Sequence, residues 1–152
     1  MRLSLITAAV LSLTPLAAQA AEDTPEQLAL EARHGFMLML GANMGVLAGT
    51  AKGEIPYDEA AVVHAATNIE ALTHYDVAMH FIPGTAEGEI DDSEALPKIW
   101  TDMAGFADKY KGLVTAAAGA PDAVKGGQEQ VAAVVQKLGG ACKACHDEYR
   151  KD

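Results

Sequence analysis

The chain has 152 residues, a mass of 15.9 kDa, a formal net charge of −10 and 50% hydrophobic residues. That length holds one domain and not comfortably two, and the apolar fraction excludes a disordered chain. A pI near 4.8 excludes a nucleic-acid binder, because a phosphate backbone would be repelled.

Residues 1–20 read as a secretory leader. Arg2 is the only charge before Glu22, and an apolar run from Leu3 to Ala18 follows, interrupted by Ser4, Thr7, Ser12, Thr14 and Pro15. The run closes on Ala18-Gln19-Ala20, a small-x-small pattern that signal peptidase accepts. Pro15 and the short apolar length weigh against an uncleaved anchor. The expectation is cleavage after Ala20 and export, leaving a single domain over 21–152 with no membrane span.

Alanine supplies much of the apolar quota and aromatics only 5%, which favours helices over strand cores. Thr24-Pro25-Glu26-Gln27 opens a first helix, with a capping threonine and proline at the first helical position. Ala32, Phe36, Leu40, Met44, Leu47 and Ala51 then recur at steps of three or four. Lys52-Gly53-Glu54-Ile55-Pro56 ends the pattern. Asp58 caps a second helix whose buried side is Val62, Ala65, Ile69, Leu72 and Val77. Phe81 to Ser93 reads as a loop, from Pro83-Gly84, Gly88 and an acidic run.

Thr101 or Asp102 caps a third helix carrying Met103, Phe106, Tyr110, Leu113 and Val114. Gly119 to Gly127 breaks the chain again. The fourth helix carries Val131, Val134, Val135, Leu138, Cys142, Cys145 and Tyr149 on one stripe. No segment alternates as a strand would. Four helices of about five to seven turns predict an all-α antiparallel four-helix bundle. Gly139-Gly140 inside the fourth helix costs about 1 kcal/mol each relative to alanine. Either a flat ring lies against the backbone there or two helices pack tightly, and Gly41 and Gly45 invite the same two readings.

Two cysteines are too few for a disulfide scaffold. They stand in Cys142-Lys143-Ala144-Cys145-His146, the C-x-x-C-H pattern of covalent haem attachment. Cysteines three apart share one face of a helical turn, so both thiols reach the vinyl groups of one haem edge. The following histidine offers a nitrogen to the iron. A redox C-x-x-C would follow a strand in a βαβ unit, which is absent. Structural zinc wants two further ligands at finger-like spacing, and His34, His64, His74 and His80 are scattered. A plain disulfide has no use for His146.

A haem motif at the tail of an all-helical chain resembles the class II c-type cytochromes, the cytochrome c′ family with its low-spin relatives. The resemblance covers the whole chain after the leader. It is carried by Arg33 in the first helix, Lys52 to Asp58, Pro83-Gly84-Thr85, Ile99-Trp100 and, most specifically, Gly139 to Arg150. It implies haem c held by Cys142 and Cys145, with His146 as proximal ligand. It also implies that Arg33 lies near the propionates and Arg150 near the proximal side. His34 stands where the c′ members usually carry glutamine, a departure from the family's pattern at that polar contact. The resemblance further implies that Glu87 or Glu89 approaches the haem through the 81–93 loop, which is longer than in typical members.

Met37 falls where c′ members carry a bulky apolar residue over the distal face and low-spin relatives carry an iron-ligating methionine. A thioether is an acceptable axial ligand, and methionine is equally a common core filler. On the helix, Met44 lies about 20° from Met37 and Met39 about 160° away. Met44 is the alternative on that face and is expected in the core. Trp100 and Tyr57 read as packing anchors whose polar ends need partners if buried.

Two functions follow from the resemblance. One is an exported electron carrier with His146 and Met37 as ligands, meeting redox partner proteins through its acidic surface. The other is a five-coordinate protein binding NO or CO at an open distal site. No general acid or base stands with the motif beyond His34, so an enzyme is not expected. Pairing through the first two helices into a homodimer is a further expectation of the resemblance.

Overall fold

The computed structural model describes residues 23–151, and the expected leader lies outside them. The first helix, α1 (Pro25–Ala51), starts on the expected reciprocal cap. The Thr24 hydroxyl accepts from the Gln27 amide at 3.2 Å, and the Gln27 side chain accepts from the Thr24 amide at 2.9 Å. It stops at Lys52, and Gly53, with φ 75°, makes the left-handed turn that follows. Asp58 accepts from the Ala61 amide at 3.0 Å and opens α2 (Glu59–Leu72). A single 3-10 turn follows at Val77–His80, then an irregular stretch over 81–97.

The short α3 (Lys98–Thr101) runs directly into α4 (Met103–Ala117), whose cap is Asp102 accepting from the Gly105 amide at 3.1 Å. One more turn, α5 (Ala120–Ala123), precedes α6 (Gln128–Tyr149). α1 packs on α2 and α6, α6 packs on α4, and α2 closes the ring on α4 and α5. Phe36, Leu47, Val62, Ile69, Phe106, Val131 and Leu138 fill the middle. Full burial of side chains such as these stabilises by about 1.5–3 kcal/mol each. This is the antiparallel four-helix bundle, and no strand occurs among the described residues.

Three details differ from the expectation. α2 and α4 have 14 and 15 residues, about four turns each rather than five or more. α2 ends at Leu72, and Val77 is buried on the separate turn. A tertiary contact holds the chain just after the helix: the Tyr75 carbonyl accepts from the Tyr110 hydroxyl at 2.8 Å and from the Val77 amide at 3.1 Å. α3 and α5 are single helical turns, and α5 lies within the break expected over Gly119 to Gly127.

The chain end is laced to the long loop. Ala95 and Arg150 form an antiparallel bridge, with the Leu96 amide donating to Tyr149 at 2.9 Å and the Lys151 amide donating to Glu94 at 2.8 Å. Lys151 adds an ion pair to Glu87 at 2.6 Å. The Tyr149 hydroxyl donates to Asp102 at 2.7 Å, which ties α6 to the start of α4. Together these contacts bring residues 93–95 beside the last turn of α6.

Candidate haem site

Between α1, α4, α6 and the 81–97 loop lies a cavity of about 530 Å³, a size that holds a cofactor. α6 supplies Gly139, Cys142, Cys145 and His146 to its wall. The three-residue step between the cysteines puts both thiols on the cavity face, each partly buried and unbridged. Burial pushes both thiols upward in pKa, so they are protonated at neutral pH. Burial also lowers His146, and the Arg150 charge lowers it further, which favours a neutral imidazole able to bind a metal.

α1 supplies Arg33, His34, Met37, Gly41 and Met44 to the same cavity. Met37 is 40% exposed and Met44 is partly buried against the core, so both methionines of that face reach the space. Met39 is exposed and lines a different groove, between α1 and α2. Leu30, Phe36, Leu40, Val77, Phe81 and Phe106 make the rest of the lining largely apolar.

Arg33 is only 4% exposed. Its two terminal nitrogens donate to Thr85, at 3.2 Å to the hydroxyl and 3.0 Å to the carbonyl. Ser93 donates to the same carbonyl at 2.8 Å. The guanidinium carbon stands 4.6 Å from the Phe81 ring centroid. No salt bridge to Arg33 occurs among the described residues, and burial pulls its pKa down. A buried cation on a cavity wall, without a carboxylate of its own, asks for an anion from the cavity.

Two glycines supply the second test of fit. A Cβ built on Gly41 or Gly139 would meet no atom within 4 Å, and both residues line the cavity. Tight helix packing is therefore not the reason for them, and a flat ring can lie against either backbone. Open thiols, a neutral imidazole, an unpaired guanidinium and bare backbone on facing helices suit haem c. Zinc is not favoured, since the described residues contain no group of three or more His, Cys, Asp or Glu placed to hold a metal.

Other residues fall differently from expectation. Arg150 lines the cavity at the end of α6, exposed, with its Nε 3.7 Å from Glu94. Glu89 is not brought to the cavity: its carboxylate accepts from the Ala86 amide at 2.9 Å and faces solvent. Glu87 is likewise held by Lys151. Glu94 and Ser93 reach the wall instead, because the bridge to Arg150 turns that part of the loop inward. His74 and His80 stay away from the cavity, and His80 hydrogen-bonds Tyr75.

Lys109 on α4 and Thr85 on the loop were not anticipated. Lys109 lies three residues after Phe106, so helical phase was the available signal. Nothing in the residues marked Thr85 as the partner of Arg33. Tyr57 finds partners for its hydroxyl, accepting from the Gly126 amide at 3.0 Å, whereas the buried Trp100 indole N–H has none among the described residues.

The family model described as Cytochrome C' matches residues 28–150. A cytochrome c′ of Cereibacter sphaeroides is 37% identical over 145 residues, 95% of each chain. The solved cytochrome c' from Rhodobacter Spheriodes is 38% identical with a TM-score of 0.80, covering 84% of this chain and 98% of that one. A nitric oxide complex of a mutant of cytochrome c prime from Alcaligenes xylosoxidans is 30% identical with a TM-score of 0.69, covering 84% and 97%. With the fold, the motif and the cavity in agreement with these matches, the chain belongs to the cytochrome c′ family of proteins that carry covalently attached haem c.

Proposed function

We propose that this protein is a periplasmic monohaem electron carrier with His146 and Met37 as the two axial ligands. Haem c supplies an iron that accepts and releases one electron. Cys142 and Cys145 hold it through thioethers, and His146 binds from the α6 wall. Met37 offers its sulfur from the α1 wall, a ligand that raises the reduction potential. Arg33 pairs with a propionate by a charge-assisted bond, with His34 next to it in sequence, and Arg150 lies on the proximal side with His146. The observation that carries this reading is the presence of Met37 and the Cys142–His146 motif on two walls of one cavity.

The acidic surface fits a basic face on the redox partner. Export follows from the leader, and no helix of the described residues is long and apolar enough to cross a membrane. The groove between α1 and α2, lined by Met39, Asn43, Leu72 and Tyr75 among others, fits a second copy of the chain. Sedimentation at high concentration showing only monomer removes that part.

Replacing Met37 with alanine converts a low-spin absorption spectrum to high-spin on this reading. An unchanged spectrum removes Met37 as ligand. A second reading, NO or CO binding at an open iron, has its own support. The lining around Met37 is largely apolar, and a relative at 30% identity was solved as a nitric oxide complex.

A further inference from the structure

The buried polar and charged side chains among the described residues are Arg33, Thr50, Thr73, Thr85 and Ser93, and Arg33, Thr85 and Ser93 meet at one point. The Thr85 hydroxyl donates to the Ile82 carbonyl at 2.7 Å and accepts from one terminal nitrogen of Arg33 at 3.2 Å. The Thr85 carbonyl accepts from the other terminal nitrogen at 3.0 Å and from the Ser93 hydroxyl at 2.8 Å. The Ser93 hydroxyl in turn accepts from the Ala95 amide at 3.4 Å. A buried network of this kind is rigid, because breaking one bond strands a polar atom away from water.

Two features set it apart from an ordinary loop staple. Its oxygens are neutral, so they orient the guanidinium without cancelling its charge. They also engage both terminal nitrogens of a planar group that carries five N–H donors, which fixes the plane of the fork. No further hydrogen bond of Arg33 occurs among the described residues, so its remaining donors are left for an anion in the cavity that it lines. Thr85 itself is fully buried and is not part of the cavity wall, so it reaches the cavity only through the residues it holds.

We propose that Thr85, braced by Ser93, is a positioning residue that aims the Arg33 charge at the haem propionate and so sets the reduction potential. A positive charge held close to the haem in a medium of low dielectric favours the ferrous state, which carries one positive charge fewer. A guanidinium released from this brace spreads over several orientations, and the ferrous state loses part of that support. The proposal rests on the reading that Arg33 pairs with a propionate.

The test is a spectroelectrochemical titration of the haem-loaded protein and its variants. Thr85→Val keeps the shape, removes the hydroxyl and is expected to raise the ferric-to-ferrous ratio about threefold at a fixed solution potential. Thr85→Ser keeps the hydroxyl and is expected to keep the wild-type ratio. In an Arg33→Leu background Thr85→Val adds nothing, since no charge remains to aim. Ser93→Ala removes only the brace and shifts the ratio the same way by a smaller factor. It serves as the test if Thr85→Val does not fold.

A wild-type ratio in Thr85→Val with a lowered melting temperature overturns the proposal and leaves Thr85 a purely structural residue. An equal shift with and without Arg33 overturns it as well, because the effect then bypasses the guanidinium. Arg33→Leu alone reads the pairing beneath the proposal. A wild-type ratio there removes the propionate contact and the proposal with it, whereas a shift in Arg33→Leu without one in Thr85→Val keeps the contact and rejects only the role of Thr85.

Discussion

The guanidinium of Arg33 and the Thr85 backbone are joined inside the protein, 3.0 Å from nitrogen to carbonyl oxygen, with the Phe81 ring beneath the charge. The 81–97 loop is thereby fixed to the first helix at the cavity wall. The cation needs an anion there, and the account assigns it to a haem propionate.

Arg33→Leu is expected to lower the unfolding free energy of the haem-loaded protein by about 1–3 kcal/mol, the size of a charged hydrogen-bond partner lost from a buried site. Urea unfolding measures it. A loss near zero would mean that neither the Thr85 bonds nor an anion in the cavity stabilises the buried guanidinium.

Gly139→Val is expected to reduce the haem content of the exported protein several-fold, because its side chain would occupy space on the cavity wall that the protein itself leaves free. Gly140→Val is the comparison, since Gly140 is exposed and off the wall. The ratio of haem absorbance to protein measures both. Equal haem content in the two variants would place the ring elsewhere.

Glu148 accepts from Lys98 at 2.9 Å and pairs with Lys109 at 2.5 Å, and these bonds pull its carboxyl down to about 2. The folded state therefore holds this proton less tightly than the unfolded state, whose value is about 4.3. The stabilisation is complete above about pH 4.3 and is lost as pH falls toward 2. Glu148→Gln is expected to flatten the acid limb of thermal stability in that window. Identical limbs for the two proteins would show that the lysine contacts carry no linkage.

Much of this arrangement is legible in the residues. Thr24, Asp58 and Asp102 cap helices where local chemistry puts them, and Cys142-Lys143-Ala144-Cys145-His146 names its cofactor by spacing alone. What is not legible depends on distant partners. α2 ends at Leu72, and the turn after it is held by Tyr110, far along the chain, which donates to the Tyr75 carbonyl. Glu94 rather than Glu89 reaches the cavity because residues 94–96 pair with 149–151, a contact that no local pattern announces. Gly41 and Gly139 are a third case, since a glycine in a helix serves a close helix contact and a ring alike, and only the distance to the neighbouring helices separates the two.

Absorption spectra of the haem-loaded protein, ferric and ferrous, before and after CO, test the central claim that Met37 closes the sixth position. The account predicts a low-spin spectrum in both oxidation states with a slow and limited CO response. A high-spin spectrum that shifts at once with CO would contradict it and make an open, gas-binding iron the function of this cavity.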